Sequence, residues 1–261
     1  MSDGKASGLI DAAQAMKMGL SFEAPKASSC KHCGRELEPL GIAFKGKLRW
    51  ISTEQCDCAG AKAEAAELEA AKNRQKAEEL IERFRTSGIK ERYLGAELDN
   101  PGFSIYAGNF GMDRGHGLYV YGDVGRGKTY QASALAKAFI EAGYSVKFVT
   151  ALEMLSSIQE TYGNNASTAS MTERYAGCDL LFIDDLGKES TSAWTVGMLF
   201  QIINVRYESM RPIIFTSQFP LESLCARFSK RGEKETADAI ASRIYETCEF
   251  LRLGGPDRRR S

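Results

Sequence analysis

Residues 118–129 read LYVYGDVGRGKT: an apolar run, a loop with three glycines, then a lysine and a threonine. The loop fits G-x-x-x-x-G-K-[ST] through Gly122, Gly127, Lys128 and Thr129. Context sharpens the match. The run before it is β-branched or aromatic, and behind it Ala132, Leu135, Ala136, Phe139 and Ile140 recur at helical spacing. A strand–loop–helix of this kind lets backbone N–H groups converge on phosphate oxygens, and the helix N-terminus adds partial positive charge. Lys128 is expected to reach the β- and γ-phosphates of a nucleotide and Thr129 to ligate Mg²⁺. The candidate nucleotide contacts are Gly122, Val124, Gly125, Arg126, Gly127, Lys128, Thr129 and Tyr130.

Four more short apolar runs follow: SVKFVT, DLLFIDD, PIIFTS and CEFLRL. Helical stretches separate the first four of the five runs. Apolar throughout, they read as strands covered on both faces, so the fold class is α/β with a parallel sheet flanked by helices. The third run ends in two acids. Asp184 is assigned to Mg²⁺ and Asp185 to orienting and deprotonating the attacking water. The bland alternative is an ordinary acidic strand end. The fourth run ends in Thr216, Ser217 and Gln218, and a polar residue at that tip, Gln218, can sense a γ-phosphate.

The first 59 residues hold four of the seven cysteines, as CKHC at Cys30 and Cys33 and CDC at Cys56 and Cys58. Two close pairs of thiols suit tetrahedral Zn²⁺, with His32 as a possible substitute ligand. A region this short lacks a large core, so metal would supply folding energy, with Phe44, Leu48 and Trp50 packing around it. A closed site reads as structural. Cys178, Cys225 and Cys248 sit in apolar contexts and read as core thiols. Residues 60–88 are rich in Ala, Glu, Lys and Arg with few large apolar residues, which predicts a solvated connecting helix. The expected organisation is a zinc-binding module over 1–59, a helical linker over 60–88 and an ATPase domain over 89–261.

Lys plus Arg and Asp plus Glu both number 34, so no global basic field advertises nucleic acid. No run of 18 apolar residues suggests a membrane span, and Asp11 and Lys17 break any signal-peptide core. The chain is expected in the cytoplasm with thiols rather than disulfides.

With these residues laid out, the chain resembles the AAA+ helicase loaders and their relatives, the DnaC/IstB-like ATPases. The resemblance covers about residues 90–254. It rests on the phosphate-loop segment, on DLLFIDDLGKESTSAWTVGMLFQIINVRY and on IIFTSQ. It implies the AAA+ five-stranded parallel sheet, ATP as cofactor, and self-assembly through the ATPase domain. An arginine of one subunit would then reach the γ-phosphate bound by the next. The matching position is Arg243, with Arg227 as second candidate. In the helix after the second strand, Leu152, Leu155 and Ile158 are expected to pack inward. Relatives carry Asn where this chain has Gln218, and no stretch long enough for a separate lid follows the last strand. Arg258 to Arg260 read as a frayed basic tail, the alternative being that they touch nucleotide, nucleic acid or a partner. The partners implied are a replicative DNA helicase and single-stranded DNA. Two other readings stay open: a transposition helper that binds target DNA and recruits a transposase, and a zinc-binding adaptor whose nucleotide is only structural.

Overall fold

The structure, a computed structural model, describes residues 8–23, 26, 28–111, 115–163, 173–230 and 233–258. The chain divides into two compact units, Met1–Ala77 and Glu78–Ser261.

In the first unit, α1 (Ala12–Lys17) is closed at its N-terminus by a capping box between Asp11 and Gln14. Two small antiparallel pairs follow, β1 (Ser28–Ser29) with β2 (Glu36–Leu37) and β3 (Pro39–Phe44) with β4 (Lys47–Thr53). The core is thin. Ala15 and Leu48 are buried, and Trp50 packs edge-on against Phe22 while its ring N–H donates to the Glu23 carbonyl. Leu48 and Trp50 belong to this core, with no contact to the cysteines recorded among the described residues, whereas Phe44 is 57% exposed. Strand alternation puts Phe44, paired with the exposed Lys47, on the face opposite Leu48.

Helix α2 (Ala59–Ser87) begins in the first unit and ends in the second. It is exposed along nearly its whole length, as its Ala/Glu/Lys composition predicts. Near its end Leu80 and Phe84 pack against the core of the second unit.

That second unit holds a five-stranded parallel sheet in the order β6–β7–β8–β5–β9. The strands are β5 (Gly117–Tyr121), β6 (Val146–Thr150), β7 (Leu180–Leu186), β8 (Ile213–Ser217) and β9 (Cys248–Arg252), the five runs expected from sequence. Alternate residues feed two separate cores. Leu118, Val120, Leu180, Phe182 and Ile214 pack under α3 (Pro101–Asn109) and α4 (Lys128–Glu141). Tyr119, Leu181, Ile183 and Phe215 face the other layer, made by α5 (Ala151–Gln159), α6 (Ala193–Glu208), α7 (Leu221–Ser229) and α8 (Lys234–Thr247). In α5, Leu155 and Ile158 are buried as expected, but Leu152 is exposed, one step round the helix from that face.

Cys178 and Cys248 are buried and Cys225 is half-buried, its thiol directed at Asp238. The chain leaves β5 for the far edge of the sheet and later steps back over β5 to form β9. A crevice therefore opens at the carboxyl ends of β5, β7 and β8, where open α/β sheets bind ligands.

Candidate functional site

The phosphate loop turns through Gly122, Gly125 and Gly127, all at positive φ. At Gly122 this is obligatory, since a Cβ there would stand 2.3 Å from the Leu253 carbonyl oxygen. Gly127, at φ 84°, is the N-cap of α4 and offers no side chain to its first turn. The leading N–H groups are thereby left to an anion, whereas α5 and α6 cap theirs with Thr150 and Ser192.

Behind the loop the Lys128 ammonium is buried and donates to the carbonyls of Gly122 and Asp123 at 2.8 and 2.9 Å. Burial lowers its pKa, and Asp185 and Asp184 pull the other way. A buried ammonium held by neutral carbonyls gains most from a phosphate oxygen.

Asp184 lies on β7 and is 4% exposed. Its carboxylate accepts from the Thr129 hydroxyl at 3.0 and 3.1 Å and from Thr216 on β8. Burial pushes its pKa up, with Thr216 and Thr129 pulling it back down. The loop threonine and the strand acid thus meet, the pairing a hydrated Mg²⁺ requires, so the donor set fits that ion.

Asp185 sits in the left-handed region at φ 57°, where the β7–β8 register slips. Its N–H donates to Thr216 Oγ1 at 3.0 Å, and its carboxylate pairs with Lys188 at 2.7 Å. That kink turns Asp185 towards the cavity while Asp184 points into the sheet. Four residues on, Glu189 is buried, accepts the Gly187 N–H and has its pKa raised by burial.

A cavity of about 600 Å³ joins these groups. Val124, Gly125, Arg126, Gly127, Lys128, Thr129, Tyr130, Asp185 and Gln218 all line it. So do Arg92, Tyr93, Asp99 and Lys188, which sequence reasoning did not single out as nucleotide contacts, and Arg258, which it read first as part of a frayed tail. Five cations against two acids make the wall net positive, as a polyphosphate needs. Only Lys188 carried a local signal, three residues after Asp185.

The segment after β9 lies along the phosphate loop instead of fraying. Leu253 N–H donates to the Tyr121 carbonyl at 2.8 Å, Arg126 donates to the Gly255 carbonyl, and Arg258 N–H donates to the Gly125 carbonyl at 2.9 Å. The Arg258 guanidinium pairs with Asp99 at 2.9 Å, and Asp99 also accepts from the buried Gln131 side chain at 2.6 Å. Arg259 and Arg260 lie outside the described residues.

Arg243 is not among the cavity residues. It lies on α8, donates to Asn204 at 2.8 Å, and stacks over the rings of Phe200 and Tyr207. Arg227 donates to the Gly187 carbonyl at 3.1 Å and lies over Phe219.

In the first unit the Sγ atoms of Cys30, Cys33, Cys56 and Cys58 all lie within 4.8 Å of one another. Cys30 to Cys58 is 3.8 Å and Cys33 to Cys56 is 3.5 Å. Tetrahedral Zn²⁺ with bonds of about 2.3 Å sets its sulfurs about 3.8 Å apart, so these thiols fit that ion. Backbone N–H groups of His32 and Cys33 hold the Cys30 thiol down to about 6. For Cys56 the Cys58 N–H also pulls down, but desolvation and the neighbouring sulfurs push it up to about 12. His32 is not part of the cluster. Its ring meets Glu64 at 2.9 Å and packs on Gly60, at the start of α2. The Ala61 N–H, also from that first turn, donates to Cys58 Sγ.

A parallel five-stranded sheet with a glycine loop after β5 and paired acids on β7, one strand beyond β8, defines an AAA+ type P-loop nucleotide-binding protein. Comparison with known proteins narrows this. The profile described as IstB-like ATP binding protein matches residues 104–261, and the chain belongs to that family. The match includes the phosphate loop, both acids, Gln218 and Arg243, and leaves out the cysteine cluster.

The replicative helicase loader DnaI of Bacillus subtilis (strain 168) is 30% identical over 154 residues, 56% of this chain and 48% of that protein. An insertion-sequence ATP-binding protein, y4uH of Sinorhizobium fredii (strain NBRC 101917 / NGR234), is 30% identical over 142 residues, 54% of this chain and 55% of that one. The chain spans about half the length of the curated relatives it matches. Among solved structures, that of the DnaC helicase loader aligns with a TM-score of 0.55 at 25% identity, covering 63% of this chain and 100% of that chain. No helix among the described residues is long and apolar enough to cross a membrane.

Proposed function

We propose that this chain is an ATP-dependent loader that binds a replicative DNA helicase in the cytoplasm and deposits it on single-stranded DNA, with ATP hydrolysis as the release switch. The observation that carries the ATPase part is the meeting of Thr129 with Asp184 beside a buried Lys128. The loader part is supported by similarity to DnaI and DnaC, and by the four-cysteine unit preceding the ATPase unit.

In this reading the N–H groups of the phosphate loop and Lys128 bind the β- and γ-phosphates. Thr129 and Asp184 hold Mg²⁺, which supplies charge neutralisation at those phosphates when bound. Asp185, aimed into the cavity by its left-handed backbone, orients a water for in-line attack and accepts its proton. Gln218, at the tip of β8, reports the γ-phosphate to the sheet. Arg243, held ready by Asn204 and two rings on its own subunit, serves the site of the next one in an oligomer. Turnover is weak until that neighbour arrives. Zn²⁺ on the four cysteines fixes the first unit, and energy for release comes from different affinities of the ATP and ADP states.

The test is helicase deposition on a single-stranded circle, with and without ATP. Lys128→Ala is expected to abolish ATP-dependent deposition, and survival of deposition would refute the role given to nucleotide. A transposition helper is the second reading, because y4uH matches at the same identity as DnaI. Capture of partners on the purified chain with ATP separates the two: a helicase co-elutes in the first case, a transposase in the second.

A further inference from the structure

The β3–β4 hairpin of the first unit presents a face that no other described residue of that unit covers. Ile42 pairs with Arg49 and Phe44 with Lys47 across the ladder, so these four side chains project from the same side. All four are exposed, as is Ile51 near the base. The opposite side is the one closed by Leu48, Trp50 and Phe22.

Charge on the hairpin is one-sided. Residues 39–53 contain Lys45, Lys47 and Arg49 and no acid, in a chain whose charges otherwise balance. Among the described residues, Lys45, Lys47 and Arg49 form no ion pair, whereas the nearby Lys31 and Arg35 pair with Glu64, Glu54 and Asp57. The turn adds a second sign. Lys45 and Gly46 both stand at positive φ, 48° and 73°, the two-residue hairpin turn that favours Asn-Gly. A lysine held there accepts a backbone conformation that side chains disfavour, and sets its ammonium at the tip over the Phe44 ring, 5.4 Å from the centroid.

We propose that this face is a binding site for single-stranded nucleic acid. Lys45, Lys47 and Arg49 meet phosphates, and Phe44, flanked by Ile42, stacks on an unpaired base. Lys47 and Arg49 are two residues apart, about 6.8 Å along a strand, the order of one nucleotide step in an extended single strand. An acidic protein would satisfy the cations and leave the exposed ring without a partner. Paired duplex would leave no free base face for it. A strand of unpaired bases satisfies both features at once, as stacking platforms beside cationic tracks do. The proposal rests on the loader reading only for why a single strand is at hand, and binding is measured apart from loading.

The experiment is fluorescence anisotropy of the full chain with zinc present, using a labelled oligothymidylate of about 20 nucleotides, titrated over a range of salt. Lys47→Ala with Arg49→Ala is expected to weaken binding and to flatten the slope of log affinity against log salt by about 1.4, or about 0.7 per lost phosphate contact. Phe44→Ala is expected to weaken binding about tenfold with the slope unchanged, and Phe44→Trp to restore it. Because these side chains are exposed, the variants keep the zinc content and ATP turnover of the parent, which are measured alongside.

An oligouridylate arm separates RNA from DNA, and a duplex arm separates single from paired strands. Equal loss on duplex, or unchanged affinity and slope in both variants, overturns the proposal. So does capture of an acidic protein that competes with no oligonucleotide. If the parent loads no helicase yet the hairpin variants still lose oligonucleotide affinity, the loader reading fails and this site stands.

Discussion

Thr216 is the side chain on which the acid pair depends, and its removal has a computable cost. It is 1% exposed on β8, donates to Asp184, and accepts the N–H of Asp185 at 3.0 Å. Thr216→Val keeps the shape and deletes the hydroxyl. The lost bond to a buried carboxylate is worth about 1.5–3 kcal/mol, and leaving the Asp185 N–H unpaired costs about 1–3 kcal/mol more. The added methyl returns about 1 kcal/mol of burial. The net is about 1.5–5 kcal/mol, which for a unit of this size lowers Tm by roughly 3–20 °C.

The cost carries a pH signature. Asp184 titrates above its ordinary value because it is buried, and Thr216 is the strongest influence opposing this. Deleting the hydroxyl raises that pKa further. For a carboxyl whose folded pKa is raised, the folded state binds more protons than the unfolded chain, so stability falls as pH rises through the window between the two values. The destabilisation by Thr216→Val is therefore smallest below the ordinary carboxyl range, about pH 4, and grows as pH rises through the raised folded pKa. Urea denaturation of both proteins across that range measures it, with Thr216→Ser as the variant that restores the hydroxyl. A cost that is flat with pH, or not recovered by Ser, would falsify the assignment of Thr216 as the support of Asp184.

Three further outcomes are expected. Chelating zinc melts the first unit, seen as proteolysis within Met1–Ala77, while nucleotide binding by Glu78–Ser261 persists, because the four sulfurs and a thin core are all that hold the former. Gly122→Ala places a methyl 2.3 Å from the Leu253 carbonyl oxygen, pushes the last strand's continuation off the phosphate loop, and abolishes nucleotide binding in a fluorescence titration. Arg206→Met leaves several buried carbonyls unpaired and destabilises the second unit by at least about 1–3 kcal/mol in the same urea assay, and Arg206→Lys does not rescue it, since one ammonium cannot replace a fork of donors.

Arg206 also shows where a sequence stops being readable. The segment INVRY is among the residues that carry the family resemblance, and nothing local says what its arginine does. In the structure it is fully buried and donates to the carbonyls of Tyr175, Ala176, Cys178, Asp179 and Pro212. It pins the entry to β7 against the entry to β8, so a family-specific residue serves the sheet that presents Asp184 and Asp185.

What was legible is what local order encodes. Strand runs covered on both faces are apolar at every position, the phosphate loop needs its glycines in fixed spacing, and four thiols in two pairs announce themselves. What was hidden is pairing at a distance. Asp99 and Arg258 stand 159 positions apart, and no period links them. Thr216 and Gln218 end the same strand, and only the register of β8 against β7 shows that Thr216 supports the acids while Gln218 faces the cavity. Phe44 and Trp50 look alike as aromatic residues of a small cysteine-rich unit. The hairpin register alone decides that Trp50 joins the core and Phe44 stands in solvent beside three cations, and this separates a packing residue from one available to a partner.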